Sequence, residues 1–388
     1  MRIAIYGGSF NPPHKGHREA AVSVLRQMKP ERLLIVPDRL PPHKELADGS
    51  PGPDERLELC ELTFQGLPDT EVSDIELRRE GASYTSETVD ALRAVYPEDE
   101  LILVLGSDML YCFEEWYRFR FLLDQCTLAV LPRNDGDLEL LPEKARQLEA
   151  QYGAKIELLS HVPYELSSSE LRARLSRRAG EELVMPEVYA QIIRKRYYDA
   201  QPELGWLRER AYAMLKPKRV AHVAGCESEA VRLAERWGED PELAAEAAIL
   251  HDVTKKLSFD EQLNLCREYG IILDHAEDRF PQILHAITGA ELARREFGVS
   301  REVAEAIRWH TTGKPDMTML EKILYLADGI EPNRDYPAVE KLRRLSMEDI
   351  DAALALSLER SLAYIRKRGE EPFSGTAEAA AWYAERNT

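Results

Sequence analysis

Two groups of residues carry the chemistry that can be read from this sequence. Behind Gly7-Gly8, Ser9 to His17 spells SFNPPHKGH, with His14 and His17 three residues apart. Far along the chain, His222, the doublet His251-Asp252, His285, His310 and Asp328 come from five helical regions. A glycine break between a strand and a helix leaves NH groups bare at a place that favours anions. Two small basic imidazoles at that mouth suit phosphate chemistry on a nucleotide. His251-Asp252 ends the apolar run 247–250, where an imidazole and a carboxylate are costly to bury unless paired or metal-bound. Several imidazoles with carboxylates make a reasonable donor set for a transition metal.

The elements that must position these groups follow from periodicity. Apolar runs predict strands over 1–6, 33–36, 101–105, 127–131 and 155–159, and alternation predicts another over 70–77. Helices are expected over 18–28, 54–64, 84–96, 114–121 and 143–152. Strands alternating with helices predict an α/β doubly wound, Rossmann-like domain, whose loops after parallel strands face ligands. Those loops carry Lys44 in PPHK and Gly106-Ser107-Asp108 after LILVL. Ser167 with Glu170 three residues later is a capping box ahead of Arg172. The same hydroxyls and arginine at a helix start also suit a triphosphate.

Beyond residue 205 strands vanish. Helical periods are read over 207–215, 227–237, 241–251, 260–269, 283–297, 301–309, 319–326, 350–367 and 378–386. The boundary is placed in YYDAQPELG, giving domains 1–198 and 199–388, the second all-α. At 388 residues, two cores are the expectation. A formal charge of -18 argues against a nucleic-acid backbone as the main partner. No run approaches the length of a membrane span, MRIAIYGG is not a signal peptide, and five cysteines without a CxxC pair fit reduced thiols in the cytoplasm. Homo-oligomerisation is left open.

GGSFNPPHKGH resembles the signature of the HxGH nucleotidyltransferase superfamily, and residues 1 to 195 resemble bacterial nicotinate-nucleotide adenylyltransferases. LSSSELR is similar to that family's second signature, with Leu166 and Ser169 in place of an isoleucine and a threonine. The resemblance implies substrates ATP and nicotinate mononucleotide, with Mg²⁺ on the phosphates. It implies that Gly7, Gly8, Ser9 and Phe10 form the nucleotide loop and that His14 and His17 contact the ATP phosphates, His17 at the α-phosphate. Lys44 and Arg172 would bind pyrophosphate, Ser168 the nucleotide, and Gly106 and Asp108 the adenosine or sugar side. Tyr84, Thr85 and Trp116 would form the pyridine pocket, the indole stacking on the ring.

The second half resembles the HD-domain phosphohydrolases. RVAH, LHDVTK, HAITGA, RWHTTG and LADGIEPNR are similar to the YqeK-type symmetrical diadenosine tetraphosphatases, which cleave diadenosine tetraphosphate into two ADP. The resemblance implies a core metal site of His222, His251, Asp252 and Asp328, completed by His285 and His310 at a second position. The two divalent transition metals implied are iron, although manganese or another divalent ion would satisfy the same groups; Asp252 could bridge them, and Lys255 and Arg334 would hold distal phosphates. The expectation is therefore a bifunctional enzyme with no channelled intermediate. The alternative is the same transferase carrying an HD domain that acts on another nucleotide or serves as a non-catalytic regulatory module.

Overall fold

The apolar runs become one parallel sheet in a computed structural model that describes residues 1–41, 45–134, 136–273 and 281–386. Its strands are β1 (Arg2–Gly8), β2 (Arg32–Pro37), β3 (Thr70–Val72), β4 (Glu100–Gly106), β5 (Cys126–Leu131) and β6 (Lys155–Leu158), in the order β3-β2-β1-β4-β5-β6. Ile5 of β1 sits beside Leu34 of β2 on one side and Leu103 of β4 on the other. Every residue of β5 is buried, as a strand covered on both faces requires.

Alternate strand residues feed two apolar layers. Ile3, Ile5, Leu101, Leu103, Leu128 and Val130 pack with α3 (Thr85–Val95), α5 (Phe119–Gln125) and α6 (Asp137–Tyr152). Ala4, Leu33, Ile35, Ile102, Val104 and Ala129 pack with α1 (Lys15–Met28) and α2 (Pro53–Phe64). Strand order reverses between β1 and β4, so the loops leaving those strands open on the crevice where such sheets bind ligands.

Two elements depart from the periodicity. The strand expected over 70–77 pairs only at Thr70–Val72, because it lies at the sheet edge and the chain then turns, Arg78 N donating to Asp74 O. The helix expected over 114–121 is broken. After the short α4 (Ser107–Tyr111), a 3-10 turn at Phe113–Glu115 ends at Trp116 in extended backbone, and Arg118 takes a left-handed conformation. The break sets the indole at the sheet's ligand edge. The unit closes with α7 (Ser168–Leu175) and α8 (Pro186–Lys195). Ser167 caps α7 by accepting from Glu170 N at 3.1 Å, but the Glu170 carboxylate pairs with Arg174 at 2.7 Å.

The chain divides into two compact units, Met1–Gln201 and Pro202–Thr388. The second is helical among its described residues. Its helices are α9 (Leu204–Ala213), α10 (Pro217–Trp237), α11 (Pro241–Leu250), α12 (Phe259–Tyr269), α13 (Pro281–Glu296), α14 (Arg301–Trp309), α15 (Met319–Ile330), α16 (Val339–Glu348), α17 (Ile350–Lys367) and α18 (Ser374–Arg386). α10 packs on α11 and α15, and α14 packs on α11, α13 and α15. These five helices bring the separated histidines together. Among the described residues no helix is long and apolar enough to cross a membrane.

Candidate active sites

In the first unit, the loop from β1 to α1 floors a cavity of about 730 Å³. Gly7, Gly8, Ser9, Phe10, His14, His17, Tyr84, Thr85, Gly106, Asp108, Trp116, Ser168 and Arg172 all line it. Lys44 lies outside the described residues. His14 stands at the N-cap of α1, and its backbone NH donates to Nδ1 of His17 at 3.1 Å, so the two rings lie 3.8 Å apart. Gly16 is required between them, since a Cβ there would come 2.8 Å from the Tyr164 ring and 3.0 Å from the His14 ring. Burial, with help from the Arg133 charge, pushes His14 down to about 4, so its imidazole is neutral at physiological pH.

That value makes a prediction with a definite sign. The unfolded chain takes up the His14 proton near pH 6.5 and the folded chain near pH 4, so stability from this group falls as pH drops through that window. A bound triphosphate favours the protonated ring, so the His14 pKa is expected to rise by about one unit or more when ATP is added. Imidazole NMR titrations with and without ATP measure both values; a free-chain pKa near 6.5 would contradict the placement.

The second signature closes on the first. Ser168 Oγ donates to Pro12 O at 3.0 Å, and Arg172 donates to Asn11 O at 2.6 Å and Ser169 Oγ at 3.0 Å. Beneath the loop lies Arg56, fully buried, a residue that periodicity marked only as part of a helix start. Its guanidinium donates to Ser9 O, Asp38 O, Asp38 Oδ1 and Arg39 O at 2.7–3.1 Å, and Ser9 Oγ donates to Asp38 Oδ2 at 2.8 Å. A buried cation is held there because each of its partners is an oxygen fixed by the loops leaving β1 and β2. Across the crevice, Arg133 pairs with Asp108 at 3.1 Å. Gly106 leaves room for that pair: a Cβ would meet Asp108 Oδ1 at 2.5 Å and Arg133 Nε at 2.7 Å.

In the second unit, helix ends set the histidines. His251 and His310 follow the last turns of α11 and α14, and their Nδ1 atoms meet the carbonyls of Ala248 at 2.7 Å and Ile307 at 2.6 Å. His285 in α13 does the same with Gln282 O at 2.8 Å. Backbone carbonyls can only accept, so each Nδ1 carries a proton and Nε2 is the ring atom turned toward the carboxylates. His222 in α10 reaches the same state through Glu331, its Nδ1 lying 3.1 Å from Oε1.

The Nε2 atoms converge on two carboxylates. His222 lies 3.1 Å from Asp328 Oδ1, His251 3.3 Å from Asp252 Oδ2, His285 3.3 Å and His310 3.8 Å from Asp252 Oδ1. Nε2 of His222, Nε2 of His251 and Oδ1 of Asp252 are buried without a hydrogen bond of proper geometry. Close donors that do not bond one another fit a shared cation. Two clusters of this kind form, His222-His251-Asp328 and His251-Asp252-His310, consistent with a di-metal centre. Burial pushes Asp252 up, but His251, His285 and Lys255 outweigh it and hold the carboxyl far below its usual range. Burial pushes His310 down to about 3. Arg219 is salt-bridged to Asp252, Lys255 Nζ sits 2.8 Å from His285 Nε2, and Arg334 donates to Asp328 Oδ1 at 2.6 Å.

Comparison with known proteins follows this division. The Cytidylyltransferase-like family model matches residues 5–174 and the HD domain model residues 219–333. A probable nicotinate-nucleotide adenylyltransferase from Caldicellulosiruptor saccharolyticus is 34% identical over 51% of this chain and 99% of its own length. A symmetrical bis(5'-nucleosyl)-tetraphosphatase from Bacillus subtilis is 38% identical over 45% of this chain and 96% of its own. The chain belongs to both families. The nicotinate-nucleotide adenylyltransferase family accounts for its first half and the symmetrical tetraphosphatase family for its second. The same fusion occurs in Mycoplasma genitalium, whose probable nicotinate-nucleotide adenylyltransferase/Ap4A hydrolase is 26% identical over 92% of this chain and 97% of its own length.

Glu331 gained no functional role from the sequence, although it stands within EPNR. It is 1% exposed, and its Oε2 accepts from Asn333 N at 2.7 Å and Nδ2 at 2.9 Å while Oε1 fixes His222. Gly225, one turn after His222, leaves space for that carboxylate. For the tetraphosphatase half, Glu331→Gln is expected to weaken metal binding about 10–100-fold by loosening His222. Competition with a chelator measures the effect, and unchanged metal retention would contradict it.

Proposed function

We propose that residues 1–198 transfer the adenylyl group of ATP to nicotinate mononucleotide, giving the deamidated dinucleotide and pyrophosphate, and that residues 199–388 hydrolyse diadenosine tetraphosphate to two ADP. The placement of His14 and His17 on the cavity floor, with Tyr84, Thr85 and Trp116 on its wall, carries the first reading. The convergence of four Nε2 atoms on Asp252 and Asp328 carries the second.

In the first site the 5'-phosphate oxygen of the mononucleotide attacks the α-phosphorus of ATP in line; an O–P bond forms as the bond to pyrophosphate breaks. A phosphate is already a nucleophile, so positioning and charge neutralisation carry the rate. The NH groups of the β1–α1 loop, His14 and His17 face the triphosphate, His17 at the α-phosphate. Arg172 and Lys44 take the outgoing pyrophosphate, Ser168 holds the nucleotide, and Mg²⁺ enters with ATP. Trp116 stacks on the pyridine ring, and Gly106 and Asp108 face the adenosine or sugar side.

In the second site His222, His251, Asp252 and Asp328, joined by His285 and His310, would hold two divalent ions, which we assign as iron. When bound, such ions would supply an acidified water and neutralise phosphate oxygens. Arg219 orients Asp252 through their salt bridge, and Lys255 and Arg334 turn to the distal phosphates of the substrate. The chain works in the cytoplasm on small nucleotides rather than on nucleic acid.

Substrate panels test both halves. With ATP, nicotinate mononucleotide should be used in preference to nicotinamide mononucleotide; the reverse preference would overturn the acid specificity. After reconstitution with iron or manganese, diadenosine tetraphosphate should be hydrolysed faster than mononucleotides. Faster turnover of another phosphate ester would reassign the helical half, and no hydrolysis of any would make it a regulatory module.

A further inference from the structure

The wall of the first cavity contains a carboxylate that the mechanism does not use. Glu76 is 7% exposed, lies in the segment that leaves β3, and lines the cavity together with Ser83, Tyr84, Thr85 and Thr88. Its Oε1 accepts from Thr88 Oγ1 at 2.5 Å, in the first turns of α3. Arg79 donates to the same hydroxyl at 2.6 Å and brings its guanidinium 3.8 Å from the carboxylate. The Ser83 hydroxyl also bonds to Glu76, and accepts in turn from Arg39 N at 2.9 Å, while Ser83 N donates to Leu40 O at 2.9 Å. Arg39 donates to the carbonyls of Leu77 and Arg79 at 2.8 and 3.2 Å.

One buried carboxylate thus ties three segments: the exit of β2 through Ser83, the turn after β3 through its own backbone, and the start of α3 through Thr88. Ser83 to Thr85 is the stretch in which the chain enters α3, and Tyr84, its N-cap, packs its ring 4.9 Å from Tyr117, next to Trp116. Burial pushes the Glu76 carboxyl up, and the bonds from Thr88 and Ser83 and the Arg79 charge offset that cost only in part. We propose that Glu76 is a positioning residue for the mononucleotide subsite, holding the Ser83–Thr85 backbone at the start of α3 in register with Trp116 for a pyridine carboxylate. This rests on the adenylyltransferase reading of the cavity. It assigns Glu76 no contact with the reacting phosphates.

The experiment compares wild type, Glu76→Gln and Glu76→Ala on the full chain, with KM for ATP and for nicotinate mononucleotide measured separately and thermal melting recorded. Gln keeps an acceptor for Thr88 but loses the charge facing Arg79, so a rise of about tenfold in KM for the mononucleotide is expected, with KM for ATP and kcat within about twofold of wild type. Ala should raise the mononucleotide KM further, and both variants should discriminate less between the acid and amide mononucleotides. Unchanged mononucleotide KM in Gln and Ala, or parallel rises in both KM values that track a lowered melting temperature, would overturn the inference. Wild type that forms no dinucleotide would instead remove the adenylyltransferase reading on which it stands.

Discussion

His17→Ala is expected to lower dinucleotide formation by about 100–1,000-fold while leaving tetraphosphate hydrolysis unchanged, the size of effect seen when one group aimed at developing transition-state charge is removed. The magnitude follows from the site's construction. His17 is fixed from two sides, by the His14 NH donating to its Nδ1 and by the Phe10 ring, whose centroid lies 5.1 Å from its own, and its side chain lines the cavity. A water filling the gap would not be held in that direction. Because the role proposed for His17 is at the α-phosphate, the loss should fall on kcat, with KM for ATP moving much less. Steady-state rates of pyrophosphate release measure both. A drop of less than about tenfold would mean that His17 only caps the helix.

Asp252→Asn should abolish hydrolysis, by at least about 1,000-fold, and strip metal from the protein while adenylyl transfer continues. Asp252 is the point where the donors meet: fully buried, with Arg219 and His251 on one oxygen and His285, His310 and Lys255 around the other. Asparagine keeps the shape but removes the charge that makes this cluster of imidazoles and cations tolerable. Elemental analysis of metal content, with circular dichroism to check the fold, separates loss of the site from loss of the domain. Variant protein that keeps its metal and its hydrolysis would contradict the assignment of Asp252.

Legibility in the sequence tracked how local each feature is. HKGH and LSSSELR place their side chains through one turn each, so the residues that face the cavity stand next to one another in the chain. The continuous apolar strands β4 and β5 were equally plain, because burial on both faces leaves no alternation to confuse. The histidines of the helical half were legible as types. Their common Nδ1 arrangement was not, since it depends on where α11 and α14 end.

Other features were hidden because their partners are remote. Arg56 bonds mainly to backbone oxygens of two other loops, which no spacing records. The start of α10 was missed by ten residues: Val220, Val223 and Gly225 weaken its helical signal, and Gly225 is present to accommodate Glu331, over a hundred residues away. α16 buries only Val339, Leu342 and Ser346, too little apolar surface to stand out among its charges. Glu76 falls inside the strand expected over 70–77, whereas the turn that sends it into the cavity lies just beyond the short β3.

The central claim is that one chain holds two independent phosphate chemistries. Product analysis of the purified full-length protein, with metal content recorded, tests it most directly. One incubation contains nicotinate mononucleotide and ATP, the other diadenosine tetraphosphate. The account predicts dinucleotide with equimolar pyrophosphate in the first and ADP alone in the second. ATP with AMP in the second, or tetraphosphate left intact by protein carrying both metals, would contradict it for the helical half, and absence of dinucleotide would contradict it for the first.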